Sequence, residues 1–191
     1  DYVERLVRIG HPNIFIEIPL YADTDTEHNG IIRAKGFYQT IKGLYNLAVF
    51  KQRVGLRIVI LKQNYQRLAQ LAEFIYHNFP FVFHIAFMQM ETVGLAWNNI
   101  EDLWIDPYDY NDQLKEAVNY LAMRKLRVSI YNAQLCILPR TLWKYSRKSI
   151  SRWKNIYVEE CRNCDYRNEC GGFFASSLGK HSQHIKGLKK A

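Results

Sequence analysis

At 191 residues, with 48% hydrophobic and 23% charged side chains, the chain can bury a full core and is too apolar for wholesale disorder. No run approaches the roughly 18 unbroken apolar residues of a membrane span, and no basic-then-apolar leader pattern opens the chain at Asp1. The net charge of +8 suits an anionic partner, but the basic residues are spread through predicted helices and gather only at 140–152 and at Lys186, Lys189 and Lys190. Nucleic acid is therefore not the expected partner, whereas an acidic peptide or a phosphate-bearing cofactor would fit such a surface.

The first apolar run, Ile14 to Tyr21, reads as a strand. A polar loop follows from Ala22 to Arg33, with His28 as a solvated loop histidine. Phe37, Ile41, Leu44, Tyr45 and Ala48 then recur at helical spacing. Gly55 is expected to stop that helix and open a strand over Leu56 to Leu61. Asn64 is a candidate N-cap for the next helix, whose Leu68, Leu71, Ala72, Ile75 and Phe79 form one stripe ended by Pro80.

Phe81 to Phe87 reads as a third strand, with His84 a satisfied core residue. Asp106-Pro107 looks like an N-cap with proline at the first helical position. Leu114, Val118, Leu121 and Ala122 make a third helical stripe, and Val128 to Tyr131 a fourth strand. Alternating strands and helices imply an α/β fold with a parallel, helix-covered sheet. On periodicity alone, half of a (β/α) barrel and a doubly wound sheet fit equally. A boundary is expected near residue 132, giving βα units over 1–131 and a cysteine-rich module over 132–191.

The four cysteines fall as Cys136, then Cys161-x2-Cys164-x5-Cys170-Gly171-Gly172. Without a secretion signal, clustered thiols suggest a metal site in a reducing, cytoplasmic compartment before a disulfide framework. Four thiolates satisfy tetrahedral zinc or a [4Fe–4S] cube, and spacing does not choose between them. Disulfide pairing, or Cys136 as an ordinary buried thiol, stays open. No Gly-x-Gly-x-x-Gly, Gly-x4-Gly-Lys-Ser/Thr or Gly-x-Ser-x-Gly stretch occurs.

The flanks of these cysteines carry a resemblance. Gln134-Leu135-Cys136-Ile137-Leu138-Pro139, the stretch Ser149-Ile150-Ser151-Arg152-Trp153-Lys154-Asn155, and Cys161 to Cys170 followed by Gly171-Gly172-Phe173-Phe174 resemble the C-terminal region of radical S-adenosylmethionine (SAM) maturases. The likeness is greatest to the His-Xaa-Ser system (HxsC type), and the cysteine spacing is similar to SPASM or twitch domains. His28-Asn29-Gly30 to Leu44, Lys62-Gln63-Asn64 and Met90-Glu91-Thr92-Val93-Gly94 resemble that family's later strand-to-helix connections.

The resemblance implies the C-terminal half of a partial radical SAM barrel plus a small metal-binding module. Cys136, Cys161, Cys164 and Cys170 would hold an auxiliary [4Fe–4S] cluster, with zinc as the alternative occupant. Lys62, Asn64, Gln89 and Glu91 would line part of a SAM pocket, where Asn64 has helix capping as its ordinary alternative and Glu91 a surface ion pair. The implied partner is a peptide or small protein, such as one with His-Xaa-Ser repeats. The family's Cys-x3-Cys-x2-Cys motif is absent, so the chain is expected to be inactive alone, a fragment or a companion of another chain. A non-catalytic zinc-stapled scaffold or protein-binding module is the rival reading.

Three further expectations concern the surface. An exposed sheet edge at Ile14–Tyr21 would support a homodimer. His181 and His184 would sit on a solvated tail. Trp97, Trp104, Trp143 and Trp153 would pack the seam between the two parts.

Overall fold

In the computed structural model the described residues are 2–10, 14–149 and 154–190. Trp153 and the string Ile150 to Trp153 lie outside them. The fold is mixed α/β, built on a five-stranded parallel sheet. Its strands are β1 (Phe15–Pro19), β2 (Arg53–Ile60), β3 (His84–Gln89), β4 (Val128–Tyr131) and β5 (Ser146–Arg147), in the consecutive order β1-β2-β3-β4-β5. The helices are α1 (Tyr2–Arg8), α2 (Asp25–Ile32), α3 (Phe37–Val49), α4 (Leu68–Asn78), two single turns α5 (Leu95–Asn98) and α6 (Ile100–Leu103), and α7 (Asn111–Met123).

Side chains alternate across a strand, and here the two faces differ sharply. Val54, Leu56, Ile58 and Ile60 of β2, Ile85 and Phe87 of β3 and Val128 and Ile130 of β4 all point to one face and are buried. The core cluster joins them to Leu44 and Leu47 of α3, Leu68, Leu71 and Ile75 of α4, and Leu114, Val118 and Leu121 of α7. Burying apolar area at roughly 25 cal/mol per Å² makes this one-sided layer the main stabilising element. A doubly wound sheet reverses its strand order part-way and sends helices to both faces. Here the order never reverses.

Several local expectations change. The segment expected to be a polar loop holds α2, because Thr24 caps it. The Thr24 hydroxyl oxygen accepts from the Glu27 backbone N–H at 3.4 Å, and the hydroxyl donates to the Glu27 carboxylate at 2.9 Å. Strand β2 begins at Arg53, ahead of Gly55, because the preceding turn closes at Lys51 with φ 55 and Val54 already pairs with Ile16. Asp106 caps a turn, its carboxylate accepting from the Tyr108 N–H at 2.9 Å, and α7 starts only at Asn111.

The expected boundary near residue 132 is crossed by structure. Leu138 and Leu142 enter the core, and β5 extends the sheet from β4. At the opposite edge lies β1, paired on one side by β2. No helix of the described residues is long and apolar enough to cross a membrane.

Candidate functional site

The second face of the sheet mixes polar and apolar side chains and borders open clefts. Parity places Phe15, Glu17, Gly55, Arg57, Val59, His84, Ala86, Met88, Ser129 and Tyr131 on it. In register, Glu17 lies beside Gly55, which lies beside His84; Arg57 lies beside Ala86, which lies beside Ser129; Val59 lies beside Met88, which lies beside Tyr131. Gly55 leaves room for Phe15 to lie across the face, since a Cβ there would meet the Phe15 ring at 2.6 Å.

The polar side chains partner one another. Arg57 forms an ion pair with Glu17, and the His84 Nε2 lies 3.0 Å from the Ser129 hydroxyl. Burial holds the His84 imidazole below its ordinary range, Glu17 opposes that shift, and Arg147 and Arg127 reinforce it. A half-buried neutral imidazole bonded to a hydroxyl is thus a satisfied residue, as expected from the sequence, but it faces the open side of the sheet.

Two clefts occupy this face. One, of about 460 Å³, is bounded by Phe15, Glu17, His84, Ala86, Tyr131 and Phe174. The other, of about 390 Å³, lies toward the C-terminal strand ends against Tyr21, Val59, Leu61, Gln89 and Val93. Both are bounded by Arg57, Met88, Glu91 and Asn132, so they form one trough.

Of the residues expected to contact SAM, Gln89 and Glu91 line the trough and Lys62 and Asn64 do not. Lys62 is exposed and donates its ammonium to the Glu101 carbonyl oxygen at 3.0 Å. Asn64 is 3% exposed and makes no capping bond to its helix. Its amide nitrogen donates to the carbonyl oxygens of Tyr21 at 2.9 Å and Val59 at 3.0 Å, while its oxygen accepts from the Leu61 N–H at 2.8 Å. Gln89 is buried and its amide nitrogen has no hydrogen-bond partner among the described residues.

The cysteines overturn the cofactor expectation. All four are free thiols, with Cys161 and Cys170 buried and Cys136 and Cys164 half-buried. They border one small cavity with Tyr157 and Lys186. Yet among the described residues no group of three or more His, Cys, Asp or Glu side chains is arranged to hold a metal ion. The sulfurs are instead engaged by backbone: Cys170 accepts from Leu135 at 3.4 Å and Gly172 at 3.5 Å, and Cys164 from Leu188 at 3.4 Å.

Burial pushes the Cys136 thiol up to about 11 and also raises Cys161, with the neighbouring cysteines adding to both shifts. The expected auxiliary [4Fe–4S] cluster, the zinc alternative and the metal role of Cys136, Cys161, Cys164 and Cys170 are therefore corrected to a packed thiol cluster. No described group of side chains supports the iron–sulfur cluster that the expected activity required of this chain. The reading as a radical SAM maturase carrying an auxiliary cluster falls with it.

The histidine and tryptophan expectations divide. His28 is buried in α2 at 1% exposure, and its Nδ1 accepts from the Tyr21 N–H at 3.3 Å. His184 stacks on Tyr108 at 3.9 Å, and His181 meets Phe173 at 5.3 Å, so neither sits on a free tail. Trp104 lies under Lys180 at 4.5 Å and Trp97 abuts Gly179, so both meet the later chain, whereas Trp143 meets Tyr166 at 4.9 Å within the cysteine segment and packs against the core.

Glu17, Arg57 and Tyr131 of the trough were not among the expected site residues. Their only signal was a polar residue here and there at alternate positions of otherwise apolar strands, as at Glu17, Arg57 and His84. No model of a known protein family matches the chain, and no curated protein matches it.

Proposed function

We propose that this chain is a non-catalytic scaffold and protein-binding module that receives an extended peptide segment of a partner protein in the trough. The observation that carries this reading is the uncovered sheet face, where Glu17, Arg57, Glu91 and Asn132 supply polar groups between the apolar walls of Phe15, Val59, Met88 and Tyr131. Apolar walls with a few convergent polar groups are the usual composition of a recognition cleft. The fixed Arg57–Glu17 pair offers a guanidinium and a carboxylate to peptide groups without reorganisation. The sheet itself we read as half of a (β/α) barrel of radical SAM type in architecture alone, which the unreversed strand order and the one-sided helices support.

The test is selection of random peptides on the whole chain, followed by affinity measurement on Met88→Trp and Val59→Arg, which fill the trough from two strands. Thermal melting of each variant checks that it folds. Peptides that lose about tenfold or more in affinity on both variants, a difference of about 1.4 kcal/mol, are the expected result. Peptides that bind all three chains equally, or no enrichment at all, would overturn the reading.

A further inference from the structure

At the N-terminal strand ends the trough runs into a third cleft of about 590 Å³ that shares His84 with it. Its cations are Lys125, Arg127, Lys144 and Arg147, and its lining holds no carboxylate. At some other places a carboxylate stands beside a cation, as where Arg57 meets Glu17, Arg67 meets Asp23, Lys189 meets Asp165 and Lys190 meets Glu169. The four cations of the cleft have no ion pair among the described residues. Like charges so gathered raise a positive potential that only an external anion relieves.

Neutral contacts hold three of them in place, Arg127, Lys144 and Arg147. The Arg127 guanidinium lies over the Phe83 ring at 4.5 Å, and Arg53 lies over the same ring at 4.2 Å. Lys144 lies over Tyr145 at 5.0 Å. Arg147 donates to the carbonyl oxygens of Lys144 and Ser146, each at 2.8 Å. These contacts fix the side chains while leaving the positive charge unneutralised, so little ordering cost remains when carboxylates arrive.

We propose that this cleft recognises an acidic stretch of the partner segment, carboxylate side chains pairing with Arg127 and Arg147 and flanked by Lys125 and Lys144. The proposal rests on the peptide reading of the trough and specifies the charge of the segment entering its lower end. Single-stranded nucleic acid is the weaker fit, because base stacking needs bare aromatic faces. Here the Phe83 ring is engaged by Arg53 and Arg127, and Tyr145 carries Lys144.

The probe is fluorescein-labelled hexaglutamate, followed by anisotropy on the whole chain, with hexalysine and a thymidine hexanucleotide as comparisons. Binding of hexaglutamate is expected to weaken by about tenfold or more in Arg127→Gln/Arg147→Gln. Lys189→Gln/Lys190→Gln removes the same charge at the far tail and should change it by less than about twofold. Lys125→Gln/Lys144→Gln, two exposed positions, should weaken it in the same direction and guards against misfolding of the arginine variant. Equal weakening by the cleft and tail pairs would overturn the proposal. So would tighter binding of the thymidine oligomer with the same dependence on Arg127 and Arg147. Trough-selected peptides that lack acidic residues and ignore the arginine variant would sink the acidic preference and leave the trough reading standing.

Discussion

The Asn64 side chain fastens the end of one strand to the end of the next, its amide nitrogen donating to the Tyr21 carbonyl oxygen at 2.9 Å across 43 residues of sequence. The same amide spans Val59 and Leu61 of the neighbouring segment. Asn64→Ala should lower stability by about 2–3 kcal/mol, because it strands buried backbone groups as well as removing bonds. Urea unfolding reads this directly. Asn64→Asp should be at least as harmful, since a carboxylate would face two carbonyl oxygens. A variant as stable as the parent would return Asn64 to the role of a ligand contact.

Gly172 has φ +65, and a Cβ there would stand 2.5 Å from the Ile156 carbonyl oxygen. That oxygen accepts from the Phe173 N–H at 2.7 Å and fixes the bridge beneath the cysteines. Gly172→Ala is expected to cost about 1–3 kcal/mol from backbone strain and the clash together. Gly43→Ala in α3, with nothing within 4 Å of the new Cβ, should instead stabilise by about 0.5–1 kcal/mol. Opposite shifts in melting temperature check the pair.

Acidification should loosen the fold through two histidines. Burial lowers His28 and His84 below the ordinary value of 6.5, so the unfolded chain binds more protons at mildly acidic pH. Their contribution is complete above that value and is lost as pH falls through it toward the folded-state pKa values. Glu17 softens the effect at His84, while Arg127 and Arg147 sharpen it. The urea midpoint should drop between about pH 7.5 and about pH 5.5. His84→Gln should flatten part of that slope. An unchanged slope in His84→Gln would remove His84 from the account.

Cys136 should be a slow thiol. With its pKa pushed up to about 11, chiefly by burial, its thiolate fraction near pH 8 falls on the order of a hundredfold below an ordinary thiol. Iodoacetamide labelling resolved by mass spectrometry should find Cys136 protected in the folded chain and reactive in urea. Equal rates in both states would contradict the packed cluster.

Legibility in the sequence tracked periodicity. The α7 stripe and β4 fell where the apolar spacing put them, because each buries a face with a clear repeat. Strand β5 did not, being two residues, Ser146 and Arg147, with no repeat to read. Helix α2 was readable in principle from the Thr24-x-x-Glu27 capping box, but its polar composition hid it. The trough needed register as well as alternation, since Glu17, Arg57, His84 and Tyr131 meet only once the strands are aligned. For the cysteines, spacing foretold a shared metal site, and the described side chains do not form one.

Because each strand pairs with the one before it, the sheet can grow by short closures, adding one strand and helix at a time. The chain after Cys170 pairs back at Ile156 and also reaches far earlier partners. Thr92 bonds the Ser176 carbonyl oxygen across 84 residues, and Asp106 receives the Gln183 N–H across 77. Those anchors exist only after β3 and its outgoing connection are in place. Assembly is therefore expected to run from sheet to tail, with opening in the reverse order. Native-state hydrogen exchange should find amides such as those of Asp165 and Cys170 released well before those of β2 and β3. A tail so anchored is a latch, expected to close last and lift first, and lifting it would uncover the cysteine cavity that Lys186 and Leu188 border.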